Sequence, residues 1–306
     1  MKHSSKFLGS RGLTLIELLI SMVIGLVVVG AVIVSMIGSG KAGRFQEAYS
    51  QMNEDAQIAL SIISRDIQMA GYTNPTGLVN VTPASATPTM VLAFANLGPG
   101  NPVFGCDTGF SNPGAAANSL VCGTATTAAI ELVYEADGRN TVPTGGGAPS
   151  DCLGNGILVG PPFVARNRYF LTTSAAAGSS GRPELSCASS TAGNTSQPLV
   201  ENIEDMRIVY GVSLPAVVPP VAAQVVRYVS ASQIATAGVT EWANVVSVRV
   251  CLLVRSAERV LTTGVTTGAP EDTLTYMDCA GASQTSSDGY LRRAYFSTSA
   301  IRDKMP

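Results

Sequence analysis

The stretch of sequence that decides the fold is residues 12–38, GLTLIELLISMVIGLVVVGAVIVSMIG. Its apolar run from Leu13 to Gly38 is 26 residues long, and as a helix it would extend about 39 Å. A helix of that length crosses a bilayer. The short segment before it carries three basic residues and no acidic ones. Because positive charge stays on the cytoplasmic side, the pattern predicts a membrane helix whose N-terminus lies in the cytoplasm.

Glu17 is the one charged residue within this apolar run. A carboxylate in hydrocarbon costs at least about 2.5–3.5 kcal/mol, so it needs water or a partner. One interpretation places Glu17 near the membrane surface, where its side chain reaches the headgroups. The other starts from a cleavage site that would precede the apolar run, whereas an ordinary secretory signal has its apolar core before the cleavage site. Cleavage between Gly12 and Leu13 would create a free amine four residues before Glu17, and both charges would need compensation when helices bundle.

The helix is expected to continue beyond the membrane as an amphipathic helix. No proline occurs between Leu13 and Ala70, so the two stretches can form one helix of 58 residues. Gly71 and Pro75 are expected to end it. Apolar residues recur at steps of three and four along the second half, which predicts one buried face. The residues of this face are Phe45, Tyr49, Met52, Ala56, Ala59, Ile63, Ile67 and Ala70.

The remainder of the chain predicts an antiparallel α+β head. Residues 73–200 are rich in Pro, Gly, Ala, Thr and Ser and are expected to be mostly loops. The TGGGAPS stretch, residues 144–150, has no lysine for phosphate binding and is interpreted as a turn. Alternating apolar residues predict strands further on. The predicted strands are Met90–Phe94, Ala129–Ala136, Ile157–Val159, Arg168–Thr172, Ile203–Val212, Gln224–Ser230, Val245–Arg255 and Tyr290–Thr298.

Six cysteines lie beyond the apolar run, and none belongs to a CxxC pair. An even number without metal-ligand spacing favours disulfides formed in an oxidising compartment. The sequence leaves the connectivity open, although short loops are the easiest to close and favour sequential pairing. Sequential pairing joins Cys106 with Cys122, Cys152 with Cys187, and Cys251 with Cys279.

Composition favours an anchor joined to an exported domain. The chain is 46% hydrophobic and 13% charged, which is apolar for a soluble protein. Its formal net charge is −2, and loss of the three basic residues in segment 1–12 would bring it to −5. No nucleic-acid partner is expected for an acidic protein. Arg292, Arg293 and Arg302 are therefore interpreted as surface ion-pairing residues.

Catalytic chemistry is not expected. The only histidine, His3, lies in the basic segment, so the head has none for a triad or for zinc. Lys41 and Lys304 are the only lysines beyond that segment, which does not favour a Ser–Lys pair. No calcium-loop spacing is present, and no metal or cofactor is expected. The acidic clusters, interpreted as solvated surface charge, contain Glu201, Glu204, Asp205, Glu271, Asp272, Asp278 and Asp288.

The N-terminal residues resemble the class III signal of type IV prepilins and pseudopilins. The resemblance rests on a short basic leader followed by GLTLIELLISMVIGL. It implies cleavage after Gly12 by the prepilin peptidase, N-methylation of Leu13, and pairing of Glu17 with the N-terminus of a neighbouring subunit. Phe is commoner than Leu at this position in such signals. The departure concerns the extent of N-methylation at Leu13 and not the cleavage after Gly12.

Further stretches are similar to the PilW family of minor pilins: ALSIISRDIQMAGY, NIEDMRIVYGV, VRVCLLVRS and RRAYFSTSAIRD. Together with the N-terminal motif they span nearly the whole chain. The resemblance implies a subunit that primes type IV pilus assembly in the inner membrane with other minor pilins and the major pilin. It implies a position at or near the pilus tip, often beneath a PilY-type adhesin.

These inferences give an organisation in four segments: a leader, 1–12; a transmembrane and polymerisation helix, 13–38; the amphipathic half of the same helix, 39–72; and a periplasmic β head with disulfide-braced loops, 73–306. The expected function is structural, in the membrane and then in the pilus. A J-type minor pseudopilin of type II secretion shares the leader, helix and size, and genomic neighbours would distinguish it. A membrane-tethered hydrolase is the third hypothesis, which the missing histidines oppose.

Overall fold

The computed structural model describes residues 14–78, 90–92, 101–116, 119–173, 181–189, 196–214, 224–237, 239–260 and 273–302. Within these ranges, the side chains of residues 37–39, 41, 75–78, 90–92, 237 and 239–241 are not described. The chain divides into two compact units, Met1–Glu47 and Ala48–Pro306.

One long helix, α1, spans Leu15–Met69. The Thr14 hydroxyl accepts a hydrogen bond from the backbone N–H of Glu17 at 3.3 Å, which caps the first turn. Gly71 ends the helix, as predicted, because its φ of +84° lies in the left-handed region that favours glycine. The N–H of Gly71 donates to the carbonyl oxygen of Val133 at 2.9 Å, so the helix end is joined to a strand.

The predicted apolar face of α1 is largely confirmed in the second unit. Tyr49 departs from it, since 40% of its surface is exposed. Phe45, which belongs to the first unit, is half-buried. The members of the face that are fully buried are Met52, Ala56, Ala59, Ile63, Ile67 and Ala70.

The strands of the head are all antiparallel to their neighbours. A five-stranded sheet has the order β3-β4-β5-β6-β7, and a four-stranded sheet has the order β13-β10-β8-β9. The pairs β1-β2 and β11-β12 form two further small sheets. The strand bounds are β1 Pro75–Leu78, β2 Met90–Leu92, β3 Val103–Cys106, β4 Ala129–Glu135, β5 Val164–Thr173, β6 Pro183–Ser189, β7 Ser196–Glu201, β8 Ile203–Val212, β9 Arg227–Val229, β10 Val245–Arg255, β11 Leu274–Met277, β12 Ser283–Ser286 and β13 Arg292–Ala300.

Two short helical segments lie between β9 and β10. Helix α2 spans Ala231–Ala237, and a 3-10 helix spans Val239–Asn244. The carboxylate of Asp107 accepts hydrogen bonds from the backbone N–H groups of Ala231 and Ser232 at 3.1 and 2.8 Å. A side chain that follows β3 therefore satisfies the first N–H groups of α2, which have no partner inside the helix.

The four-stranded sheet packs one face on α1. Leu252 of β10 pairs in register with Tyr295 of β13, and residues two apart share a face. The hydroxyl of Tyr295 donates to Asn53 of α1 at 2.7 Å, and the hydroxyls of Ser297 and Ser64 lie 3.1 Å apart. The alternation predicted for Val245–Arg255 therefore sets the face that meets the helix.

The middle of the chain, residues 73–200, contains more strand than the sequence predicts, although most of its described residues lie outside strands, as predicted. All of the five-stranded sheet except Glu201 lies within it, and β4 is buried along its whole length. Strands β3, β6 and β7 were not predicted because their sequences, VFGC, PELSCAS and SQPLVE, are short or mix prolines and serines with few apolar residues. The predicted strand Ile157–Val159 is wrong, since Leu158 and Val159 are 82% and 85% exposed outside any strand.

The remaining strand predictions agree with the structure to different degrees. Ile203–Val212 and Val245–Arg255 form strands with the predicted bounds. The predicted last strand is displaced by two residues at each end, and Gln224–Ser230 shortens to Arg227–Val229. Residues 93 and 94 of the predicted strand Met90–Phe94 lie outside the described residues. The TGGGAPS stretch is a turn in which the N–H of Gly147 donates to the carbonyl oxygen of Thr144 at 2.8 Å.

Three disulfides join the cysteines in the same pairs that sequential pairing gives. Cys106–Cys122 closes the connection between β3 and β4, with the two Cα atoms 5.4 Å apart. Cys152–Cys187 ties a loop to β6 with a Cα separation of 6.5 Å, and Cys251–Cys279 ties β10 to the β11-β12 pair at 5.7 Å. These separations are ordinary for disulfides.

Candidate functional site

The apolar part of α1, Leu15–Met36, is the first candidate site. It is 22 residues long, has a mean hydropathy of 2.9, and none of it is buried. By length and composition it can cross a membrane. Its large side chains are more than half exposed, from Val32 at 52% to Leu15 at 80%. Because burying one such side chain is worth about 1.5–3 kcal/mol, this segment strongly favours lipid or other apolar helices over water.

Glu17 lies in the first turn of α1 and is exposed. The N-terminal end of a helix carries partial positive charge, so a carboxylate is favourable at this position. The hydroxyl of Ser21 donates to the backbone carbonyl oxygen of Glu17 at 2.6 Å. This hydrogen bond does not involve the Glu17 carboxylate. Gly12 and Leu13 lie outside the described residues, so cleavage and methylation there stay predictions.

Asp66 is the centre of a buried polar cluster between α1 and the five-stranded sheet. Its surface is 7% exposed. Its carboxylate accepts hydrogen bonds from the Tyr134 hydroxyl at 3.2 Å, the Asn167 side-chain amide at 2.6 Å and the Tyr169 hydroxyl at 2.6 Å. Burial raises the pKa of Asp66, although these three hydrogen bonds oppose the rise. The cluster fixes the end of α1 on strands β4 and β5.

Sequence reasoning missed Asp66, although the sequence contains a signal for it. The residue lies three positions after Ile63 and four before Ala70, on the helix face that is otherwise apolar. A polar residue in such a stripe is either exposed at its edge or buried with partners. Only the tertiary structure supplies the partners, since they belong to two distant strands.

A second polar contact joins α1 to the loop before β8. The side-chain amide of Asn202 donates to the carboxylate of Asp55 at 3.2 Å. Burial raises the pKa of Asp55, and the hydrogen bond from Asn202 opposes that rise. Asn202 itself is buried and has a φ of +68°, which an asparagine adopts more easily than most residues. The second half of α1 is therefore an integral part of the head.

Arg168 and Glu131 form a buried ion pair inside the five-stranded sheet. The Arg168 Nε and Glu131 Oε1 atoms are 2.9 Å apart, and 0% and 6% of the two side chains are exposed. The Nη1 atom of Arg168 also donates to the carbonyl oxygens of Pro113 and Ala115, at 2.7 and 2.5 Å. Arg168 thereby holds the loop that the Cys106–Cys122 disulfide closes. A buried arginine used in this way is structural.

Glu204, which sequence reasoning treated as solvated surface charge, is partly buried in ion pairs with Arg255 and Arg292. Only 20% of its side chain is exposed, and only 8% of the Arg292 side chain. Asp288 pairs with Arg292 as well, and the hydrogen bonds from Arg292 hold the pKa of Asp288 well below its ordinary value. These groups fasten β13 to β8 and β10.

The other predicted charge clusters are also dispersed by the fold. Arg293 lies over the Tyr295 ring, 5.5 Å from its centroid, whereas Arg302 donates to Gln68 of α1 at 2.8 Å. Asp205 pairs with Arg207 at 3.2 Å. Arg292, Arg293 and Arg302 therefore each contact different groups and do not form one surface. Glu271, Asp272 and Lys304 lie outside the described residues.

Glu201 and Asp278 behave as surface acids, Glu201 being exposed and Asp278 half-buried. Glu201 pairs with Arg182 at 3.4 Å, and 54% of its side chain is exposed. The Asp278 carboxylate accepts the backbone N–H groups of Ala280 and Ala282, so it closes the turn between β11 and β12. Within the part of the chain that the structure describes, no three His, Cys, Asp or Glu residues are grouped to hold a metal ion.

Comparison with known proteins gives two family matches. Residues 8–33 match the prokaryotic N-terminal methylation motif, and residues 168–303 match PilW, described as type IV pilus-assembly protein W. The first match covers the start of α1 with Glu17. The second runs from β5 to the end of β13 and so includes the whole four-stranded sheet.

Among solved structures, a type IV-like pilin from Thermus thermophilus is similar to this chain. The two are 12% identical with a TM-score of 0.35, and the comparison covers 83% of this chain and 98% of that one. No curated protein matches the chain.

Proposed function

Because this chain is a type IV pilin-like protein of the PilW family, we propose that it is a minor pilin that helps to prime pilus assembly and is incorporated at or near the pilus tip. Participation in pilus assembly, and interaction with other pilus components in general, follow from the family. The proposed role is structural rather than catalytic. The proposed organisation is a leader at 1–12, a polymerisation helix at 13–38, its amphipathic half at 39–72 and a head at 73–306.

One observation carries this proposal: the segment that matches the methylation motif is also an unburied membrane-length helix. None of the segment Leu15–Met36 is buried, so the helix gains free energy when it meets lipid or similar helices. The PilW match over residues 168–303 supports a pilus subunit rather than a secretion pseudopilin.

The proposed maturation begins with insertion in the inner membrane. The basic leader keeps the N-terminus in the cytoplasm, and the head enters the periplasm, where an oxidising environment favours its disulfides. Prepilin peptidase then cleaves between Gly12 and Leu13, and Leu13 is methylated. The mature subunit leaves the membrane when it is incorporated in the pilus.

Glu17 is proposed to set the register of the helix in the assembly. A carboxylate without a partner is costly among apolar helices, and so is a free amine at Leu13. A neighbouring helix that is displaced to bring its amine beside Glu17 compensates both charges, whereas other registers leave both uncompensated. Apolar contact then supplies attraction, and the ion pair supplies selectivity for one register.

The proposed partners are other minor pilins, the major pilin and a PilY-type tip adhesin. Connections between strands are suited to their recognition, because loops on a rigid scaffold carry function more often than the scaffold itself. The exposed apolar residues Val142, Leu158 and Val159 lie in such connections of the five-stranded sheet. They are more than 70% exposed, as contact residues must be before assembly.

Deletion of the gene, followed by complementation with Glu17→Ala or Glu17→Gln, tests the proposal. Counts of surface pili are expected to fall on deletion, to recover fully with the original chain and with the control variant, and to recover less with either Glu17 variant. Both variants should weaken co-purification with the other minor pilins, because both remove the charge. Glu54→Gln is the matched control, since Glu54 is an exposed acid in the second half of α1.

The mass of each mature protein should correspond to a chain that begins at Leu13, which separates a defect in assembly from a defect in cleavage. Normal pilus numbers after deletion would contradict the priming role. Normal co-purification of a cleaved Glu17→Ala protein would contradict the role of Glu17 in register.

A further inference from the structure

A groove of about 670 Å³ opens beside the C-terminal end of α1. It lies wholly within the second unit of the chain. Helix α1 contributes one side of the groove, and the connection after β4 contributes another. Arg302, two residues beyond the end of β13, completes it. The residues that line it are Arg65, Gln68, Met69, Tyr72, Asp137, Arg139, Asn140 and Arg302.

Three arginines give this groove an excess of positive charge. Arg65, Arg139 and Arg302 are all exposed. Arg65 donates one hydrogen bond to the carbonyl oxygen of Asn140 at 3.0 Å, and Arg302 donates one to Gln68 at 2.8 Å. A guanidinium carries five N–H donors, so these hydrogen bonds to described residues use only a small part of the donor capacity of Arg65 and Arg302. The C-terminal end of α1, whose carbonyl groups carry partial negative charge, contributes to the same groove and favours cations there.

The single acid of the groove, Asp137, has its carboxylate occupied. One oxygen accepts the backbone N–H groups of Arg139 and Asn140, at 2.7 and 2.9 Å. The other is 3.5 Å from the side-chain amide of Asn74. Asp137 therefore shapes the loop that carries Arg139 and leaves an excess of two positive charges among the lining residues.

The groove also has an apolar part, formed by Met69 and Tyr72. Both are half-buried, and they pack against a buried cluster that contains Tyr134 and Ile157. Their packing makes this wall of the groove rigid. A ligand with an apolar group beside its negative charges fits such a surface better than a fully polar ion does.

We propose that this groove binds an acidic peptide segment of another pilus component, with carboxylates on the three arginines and an apolar side chain against Met69 and Tyr72. Arginine favours this chemistry because its planar guanidinium binds carboxylates through two parallel hydrogen bonds. The apolar wall of Met69 and Tyr72 favours a peptide that carries an apolar side chain over a fully polar anion, and groove-dependent binding of a nucleic acid instead would contradict the proposal. The partner's place in the pilus rests on the proposed function, whereas the peptide chemistry rests on the groove alone.

Binding is tested with the full chain in detergent micelles and a short fluorescein-labelled peptide in which leucine and aspartate alternate. Fluorescence anisotropy is expected to show binding that weakens as the salt concentration rises. The groove variant replaces all three arginines with glutamine and should bind at least about tenfold more weakly, because it loses several charge-assisted hydrogen bonds. The substitutions of the groove variant are Arg65→Gln, Arg139→Gln and Arg302→Gln.

A matched control changes the net charge equally at exposed arginines outside the groove. It should bind the acidic peptide as the original chain does. Thermal unfolding of both variants, followed by the fluorescence of Trp242, should agree with that of the original chain, since all six arginines are exposed. The substitutions of the control are Arg207→Gln, Arg249→Gln and Arg293→Gln.

Three outcomes would overturn the inference: no binding of the acidic peptide, equal losses in the groove variant and the control, or tighter groove-dependent binding of oligothymidylate or inorganic phosphate than of the peptide. A peptide in which lysine replaces aspartate should not bind. The peptide assay measures binding in vitro, so a negative result would contradict the groove proposal without bearing on the proposed role in pilus assembly. Unchanged pilus counts in the Glu17 experiment would contradict that role without bearing on peptide binding in the groove.

Discussion

Asp66 illustrates how one residue joins helix and sheet at an energetic cost. Removing a carboxylate from water is unfavourable unless hydrogen bonds replace the lost hydration. Here three side chains supply them, from Tyr134, Asn167 and Tyr169. Burial nevertheless raises its pKa, whereas Asp288, beside Arg292, has a lowered pKa. The two acids therefore contribute to stability with opposite dependence on pH.

The raised pKa of Asp66 predicts that its contribution to stability decreases as pH rises. The folded state binds this proton more tightly than the unfolded state, so the contribution is complete below the unfolded pKa and is lost through the higher folded pKa. In Asp66→Asn this dependence is removed. The free energy of unfolding of the original chain minus that of the variant should therefore fall with rising pH. Denaturant unfolding followed by Trp242 fluorescence measures it.

Asp288→Asn provides the comparison of opposite sign for that experiment. Its lowered pKa means that the original carboxylate stabilises the fold above the unfolded pKa and loses this effect as pH falls. The corresponding difference should rise with pH. A difference for Asp66 that also rises, or that stays constant, would show that burial does not dominate its titration.

At the scale of elements, α1 presents two different surfaces along one helix. Its first part is apolar all round, as membrane helices are, and its second part is apolar on one face only. Ile63 and Ile58 differ accordingly, with 0% and 44% of their surfaces exposed. The stability of the second part comes from packing, because helix propensity alone supports few isolated helices in water.

Replacing Ile63 with alanine should destabilise the head by about 2–5 kcal/mol, because it removes apolar contacts and leaves a cavity. Ile58→Ala is the matched control and should change stability by about 0.5 kcal/mol or less, as surface substitutions do. Urea unfolding of the full chain in detergent, monitored by Trp242 fluorescence, measures both. Equal effects of the two substitutions would contradict the packing of α1 on the sheets.

At the scale of the whole molecule, the two units depend on different surroundings. The unit Ala48–Pro306 contains the sheets, the disulfides and the buried face of α1. The described side chains of Leu15–Met36 contribute nothing to its core, because none is buried. Folding of the head and insertion of the anchor are therefore expected to be separable.

A chain that begins at Ala48 and is exported to an oxidising compartment should be soluble without detergent and should keep the head fold. Its urea midpoint should agree with that of the full chain in detergent, since no described side chain of residues 14–47 is buried. Size-exclusion chromatography and Trp242 fluorescence provide the measurements. Aggregation of the shortened chain, or an unfolded spectrum, would contradict the independence of the head.

The sequence by itself determined the membrane-length apolar helix that contains Glu17, the C-terminal end of α1 and the strands with clear alternation, such as Ile203–Val212 and Val245–Arg255. Local periodicity predicts these features, since a helix or strand with one buried face repeats its apolar residues at a fixed step. Gly71 likewise acts through its own backbone. No residue distant in sequence is needed to recognise any of them.

Tertiary structure alone decided the partners of Asp66, the strands β3, β6 and β7, and the groove of three arginines. Asp66 meets residues that are 68, 101 and 103 positions away, and no local pattern encodes such a meeting. Strands β6 and β7 are weakly apolar; β6 is held by pairing with β5 and by the disulfide at Cys187, and β7 is held by pairing with β6. Strand pairing and the proximity of charged side chains join residues that are distant in sequence. They are therefore set by the whole fold and have no local sequence pattern.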